Sequence, residues 1–222
     1  LHLCDRRQRQ MCIRDRMKAF ATHWKKLNVK FDGICTGFFA SAEQIRFAES
    51  FLRDFGGEDT LIVVDPVLGD NGALYGCFSE EYVQAMRTLC KAARLITPNH
   101  TEAALLAGCS MDTDVNDLLE KLPVENVIIT GVRRGEEIGY CARLDGEYTE
   151  IFRPCIPQTL HSTGDVFASA LCGALMNGKT MPCALEDAAK FCDDCVQKTV
   201  KRGEAHWYSL AFEDVLKEER ER

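Results

Sequence analysis

The 222 residues are 46% apolar and 27% charged, enough to bury one substantial core, so a single globular domain is expected. The formal net charge of -7, with no basic stripe after residue 34, excludes a phosphate-backbone binder, which needs clustered Lys and Arg to displace counterions. Nucleic acid is not expected as a partner.

Residues 1–16 hold Arg6, Arg7, Arg9, Arg14 and Arg16, show no helix or strand period, and stop at Met17, where an amphipathic pattern begins. A basic binding tail and a non-native leader are the two readings, and the leader is preferred, which puts the domain at 17–222. Phe20, Trp24 and Leu27 fall at helical spacing over 17–28, and 33–37 reads as a short buried strand. A helix over 41–55, capped by Ser41 and stopped by Gly56-Gly57, leads to a strand at 61–64. That strand is apolar without alternation, as suits a parallel sheet covered on both faces.

The alternation continues with a helix over 79–93, a strand at 95–97, a helix at 101–106 and a strand at 127–130. Strand and helix taking turns implies right-handed βαβ crossovers. The segment 140–152 reads as two strands about Asp145-Gly146, a pair suited to a type I′ turn, and this hairpin is expected at a sheet edge near 139–154. A helix over 165–176, ended by Asn177-Gly178, and two more from Pro182 and Ser209 complete the chain.

Twelve cysteines are scattered through apolar stretches rather than set in a disulfide framework, so reduced, buried thiols are expected. Cys192 and Cys195 lack a second pair at ligand spacing and are read as packing residues. No apolar run approaches the ~20 residues that span a bilayer, and the start has no signal-peptide core; no membrane and a cytoplasmic location are expected.

In open α/β sheets, ligands collect beyond the carboxyl ends of the strands. One apolar run closes with Asp65-Pro66-Val67-Leu68-Gly69-Asp70-Asn71-Gly72, two carboxylates that could hold a hard cation or simply form a turn. Another closes with Thr97-Pro98-Asn99-His100-Thr101-Glu102, where Asn99 and Glu102 face a metal-bound phosphate, complete a capping box, or do both. The strongest local signal is Ser162-Thr163-Gly164-Asp165 opening a helix. Free N–H groups there make an anion site, and Asp165 could accept the proton of an attacking hydroxyl. A Ser162-x-x-Asp165 capping box is the plain alternative.

With these three sites in order, the sequence from Met17 onward resembles the ribokinase superfamily and, within it, the vitamin-kinase branch that contains pyridoxal kinase. The resemblance implies a three-layer α/β/α fold with a mostly parallel central sheet. It implies transfer of the ATP γ-phosphoryl to the 5′-hydroxymethyl group of a B6 vitamer, with Asp165 as base and Thr163 and Gly164 as anion hole. Asp65, Asp70, Glu102 and Thr97 would organise Mg²⁺ and a monovalent cation, K⁺ or Na⁺. Asp70, Asn99, Thr130, Gly131, Thr163 and Gly164 would meet ATP, under a flap formed by 69–76. Phe38 would touch the vitamer, and the full-length parent would be a homodimer.

Three departures stand out. Ser162 replaces a family glycine, which is strained if its φ is positive. Phe38 stands where tyrosine is usual. The family's opening strands have no counterpart before Met17, which implies a domain incomplete at its N-terminus. Hydroxymethylpyrimidine kinase of thiamine synthesis shares the Asp-Pro-Val and Thr-Pro-Asn motifs and is the close rival, although that branch commonly has cysteine at the position of Asp165. An inactive ATP-binding fragment is the third reading.

Overall fold

The continuous apolar runs become the parallel strands of one sheet, and the reason is visible residue by residue. A computed structural model describes residues 6–158, 160–202 and 209–220. Strands β1 (Gly33–Thr36), β2 (Leu61–Val64), β5 (Leu95–Ile96) and β6 (Asn126–Arg134) pair in parallel, in that order. Strands β7 (Glu137–Leu144) and β8 (Glu147–Pro154) extend the sheet as an antiparallel meander. A two-residue pair, β3 (Gly69–Asp70) and β4 (Ala73–Leu74), stands apart.

Successive strand residues point to opposite faces, so β2, β5 and β6 each feed two cores. Val64, Ile96, Val127 and Ile129 join one apolar cluster, while Val63, Leu95 and Ile128 join the other. Helices α2 (Ala42–Phe55), α3 (Glu80–Cys90), α4 (His100–Ala107) and α5 (Val115–Lys121) supply the first cluster. Helices α6 (Thr163–Met176), α7 (Met181–Lys201) and α8 (Phe212–Arg220) supply the second, which completes three layers. Burying one such aliphatic side chain contributes roughly 1.5–3 kcal/mol. Phe167 of α6 anchors the second layer by stacking on Tyr140, with ring centroids 4.4 Å apart.

The edge hairpin stands where it was expected: Asp145 and Gly146 both take positive φ, 51° and 83°, as a type I′ turn requires. Ser41 caps α2 through the Gln44 N–H, and Pro182 sits in the first turn of α7. Other boundaries differ. Helix α1 (Arg6–Lys26) begins well inside the segment read as lacking helical period. Arg, Gln and Met are strong helix formers and need no apolar stripe to extend a helix already begun. Helix α5 was not anticipated, and α8 is described from Phe212 rather than Ser209. Among the described residues no helix is long and apolar enough to cross a membrane.

Candidate active site

Asp65 follows directly on β2, and its N–H donates to the Thr36 carbonyl at 3.0 Å, so the chain leaves the sheet with the carboxyl still tied to the strand ends. Thr97, buried just past β5, donates its hydroxyl to Asp65 Oδ1 at 3.4 Å. Burial, followed by the negative charge of Asp165, pushes the Asp65 carboxyl up to about 7. The acid at the start of α6 is therefore near enough to be felt by the acid at the end of β2.

At the start of α4 the capping box forms in full. Asn99 Oδ1 accepts from the Glu102 N–H at 2.9 Å, and Glu102 Oε2 accepts from the Asn99 N–H at 2.8 Å. Glu102 Oε1 also accepts from the Leu68 N–H at 3.0 Å, and Asn99 Nδ2 donates to the Gly69 carbonyl at 2.8 Å. These two side chains thus clamp the Asp65–Asp70 turn onto α4. Glu102 is buried, and desolvation outweighs its backbone hydrogen bonds, pushing it up to about 8.

Asp70 sits on the small hairpin and accepts from both the backbone N–H and the side-chain amide of Asn71, so it forms a turn as well as offering a carboxylate. Asn71 and Gly72 take positive φ, and the Gly72 N–H donates to Thr101 Oγ1 at 2.9 Å, which ties the hairpin to α4. Gly69 is required here: an added Cβ would stand 2.1 Å from the Ala73 carbonyl oxygen across the hairpin.

At the start of α6, Ser162 adopts a left-handed φ of 64° and provides no side-chain cap, so the Ser162-x-x-Asp165 capping box does not form. Thr163, Gly164 and Asp165 are exposed in the first turn, and the Cys192 thiol donates to the Thr163 carbonyl. A left-handed non-glycine residue costs about 1–2 kcal/mol, whereas glycine adds ~0.5–1 kcal/mol of unfolded-chain entropy. Ser162→Gly is accordingly expected to stabilise the fold by about 0.5 kcal/mol, read as a higher urea midpoint; a lower midpoint would mean that the serine side chain secures the turn.

Thr130 donates its N–H to the Pro98 carbonyl at 2.8 Å, and the β6–β7 register breaks between Ile129 and Val132. Gly131, at φ 67°, lies in this break with open space at its Cα. Phe38 is 64% exposed just beyond β1 and lies 5.8 Å from Phe78. Phe78 in turn stacks on Tyr82 at 3.8 Å and meets Tyr75 edge-on. Phe78 escaped the sequence reading because a lone aromatic before a helix cap carries no motif.

Among the described residues no three His, Cys, Asp or Glu side chains gather as a metal-binding group. Asp65, Asp70 and Glu102 are therefore no closed cage. Asp65 and Glu102, raised chiefly by burial and further by neighbouring negative charge, nonetheless fit a hard cation that brings phosphate and water ligands with it, the usual habit of Mg²⁺. Cys192 and Cys195 are buried on α7, in keeping with packing roles.

A mostly parallel sheet between two helical layers, with acids at its strand ends and a helix start that lacks a side-chain cap, gives the chain the ribokinase-like fold. More narrowly, it belongs to the phosphomethylpyrimidine kinase family, whose model matches residues 13–209, and it is pyridoxal kinase-like. A pyridoxal kinase homologue of Schizosaccharomyces pombe is 33% identical over 184 residues, which cover 77% of this chain and 58% of that protein. The chain thus spans well under two thirds of that relative's length. The hydroxymethylpyrimidine/phosphomethylpyrimidine kinase of Bacillus subtilis is 28% identical over 183 residues, covering 79% of this chain and 67% of its own. A phosphomethylpyrimidine kinase homologue of Bacteroides thetaiotaomicron superposes with a TM-score of 0.86 at 37% identity, over 91% of this chain and 74% of its own. A second crystal form of that homologue contains pyridoxal.

Proposed function

We propose that this protein transfers the γ-phosphoryl group of ATP to the 5′-hydroxymethyl group of pyridoxal, pyridoxine or pyridoxamine. The arrangement that carries the reading is Asp165 in the first turn of α6, which has no side-chain cap, with its charge among the causes that raise the Asp65 carboxyl at the end of β2. The substrate hydroxyl oxygen attacks the γ-phosphorus, the bond to the bridging oxygen of ADP breaks, and Asp165 takes the hydroxyl proton. The Thr163 and Gly164 N–H groups face the charge that develops on the transferring group. Asp65 and Asp70 would hold Mg²⁺, which neutralises phosphate charge when bound, while Glu102 and Asn99 keep those acids in place through the α4 clamp.

Gly131, with open space at its Cα, would let the nucleotide approach the backbone beside Thr130, and Thr97 would face a monovalent cation. Phe38, its ring tilted against that of Phe78, gives a planar heteroaromatic ring an apolar wall. The pyridoxal in the Bacteroides thetaiotaomicron homologue supports this choice of substrate. The second reading, a hydroxymethylpyrimidine kinase, is favoured by the Bacillus subtilis relative; Asp165 favours the first. Parallel assays of ATP-dependent phosphorylation are expected to show faster turnover of pyridoxal than of hydroxymethylpyrimidine. The reverse order would reassign the substrate and leave the kinase chemistry standing.

A further inference from the structure

Helix α6 meets strand β1 along a seam of four side-chain positions. Gly33 and Cys35 are two apart on the strand and share a face; Cys172 and Met176 are four apart on the helix and share a face. A Cβ at Gly33 would stand 2.8 Å from Met176 Sδ, so the glycine is what lets the helix close on the strand. One step along the seam, Cys35 and Cys172 come from the strand and the helix to the same cavity wall, and each thiol shifts the titration of the other. All four residues line a surface cavity of about 330 Å³, and Cys35 is exposed, so small solutes reach the pair.

We infer that Cys35 and Cys172 are an oxidation site, forming a reversible disulfide that staples α6 to β1 when hydrogen peroxide enters this cavity. Neither thiol has a part in the phosphoryl-transfer reading. Cys172 lowers the Cys35 thiol, against burial and the nearby Asp65 charge, while Cys35 and burial raise the Cys172 thiol. Cys35, the more exposed of the two as well as the one lowered, is the attacking thiolate and Cys172 the resolving group. The Cys35 sulfur attacks one peroxide oxygen, the O–O bond breaks, and Cys35 becomes a sulfenic acid as the other oxygen leaves as water. Cys172 then attacks that sulfur, the S–O bond breaks, and its proton departs with the hydroxyl as a second water. Two thiols lose two electrons and the peroxide gains them. Cys172 lies seven residues beyond Asp165, about 10 Å along the helix axis, so the link fixes the seam beneath the proposed base.

The test treats the reduced full chain with hydrogen peroxide, blocks free thiols with iodoacetamide, and maps its peptides without reductant. The expected product is one peptide pair joining positions 35 and 172, lighter than the two reduced peptides by two hydrogens and lost on treatment with dithiothreitol. In Cys172→Ser, Cys35 is expected to stop at the sulfenic acid and be captured by dimedone; in Cys35→Ser, Cys172 is expected to stay alkylatable. Bridges from either residue to another cysteine would overturn the inference. So would a wild-type chain in which both remain alkylated while other thiols oxidise.

Discussion

Asp165→Ala is expected to lower kcat for pyridoxal phosphorylation by about 10²–10⁴-fold, the usual loss when a positioned proton acceptor is removed. Asp165 is exposed on the first turn of α6 and supports no core contact, so the loss should come without a comparable loss of fold. Its charge helps to raise the Asp65 carboxyl, so its removal relieves repulsion at the strand ends. ATP affinity should therefore hold or improve slightly, and the effect should fall on kcat rather than on the KM for ATP. Turnover and nucleotide titration on the same preparation separate these outcomes. A variant that keeps its turnover would remove Asp165 from the chemistry, whereas one that loses nucleotide binding as well would give it a role in holding the site.

The sequence carried the parts of this arrangement that rest on local chemistry. Apolar runs ending in Asp65 and Thr97 marked strand ends, Asp145-Gly146 marked a turn, and Ser41 marked a helix start, because each depends on a few adjacent residues. The two capping-box patterns looked alike, yet the structure separates them. Asn99 and Glu102 close their box, while Ser162 turns left-handed and leaves its helix start uncapped. Nothing local decides between those outcomes; the path of the incoming chain does. The small hairpin at Gly69 and Ala73 was also hidden, since its stability comes from Asn99 and Thr101 about 30 residues away. Helix α5 was legible in principle: Asp114 caps it, and Val115, Leu118 and Leu119 are spaced to bury one face. Strand β6 runs past its apolar stretch because β7 supplies partners for Arg133 and Arg134, a tertiary effect that no window of sequence contains.

Glu102 should be the second most sensitive position, through placement rather than contact with the reacting atoms. Its two oxygens accept from Asn99 and Leu68, and glutamine can reproduce only one of these bonds because its amide nitrogen is a donor facing a donor. Glu102→Gln is expected to cost about 1–3 kcal/mol of stability for the unmatched buried group. It is also expected to cost about 10²-fold in kcat, as the Asp65 and Asp70 turn shifts relative to α6. The pH profile distinguishes this role from simple packing. The folded carboxyl sits at about 8 against 4.5 for the free group, so the folded state holds the extra proton between those values. Stability must then decline as pH rises through that window: the cost of charging Glu102 is absent below pH 4.5 and fully present above about 8. Thermal midpoints measured from pH 5 to 9 without divalent cations should fall in the parent chain and fall less steeply in Glu102→Gln. Asp65, raised to about 7, adds a smaller decline of the same sign that persists in the variant. Mg²⁺ with ATP should flatten the parent profile by favouring the ionised acids. Parallel slopes in parent and variant would show that Glu102 is already ionised in the folded protein, held so by its backbone donors rather than neutralised by burial.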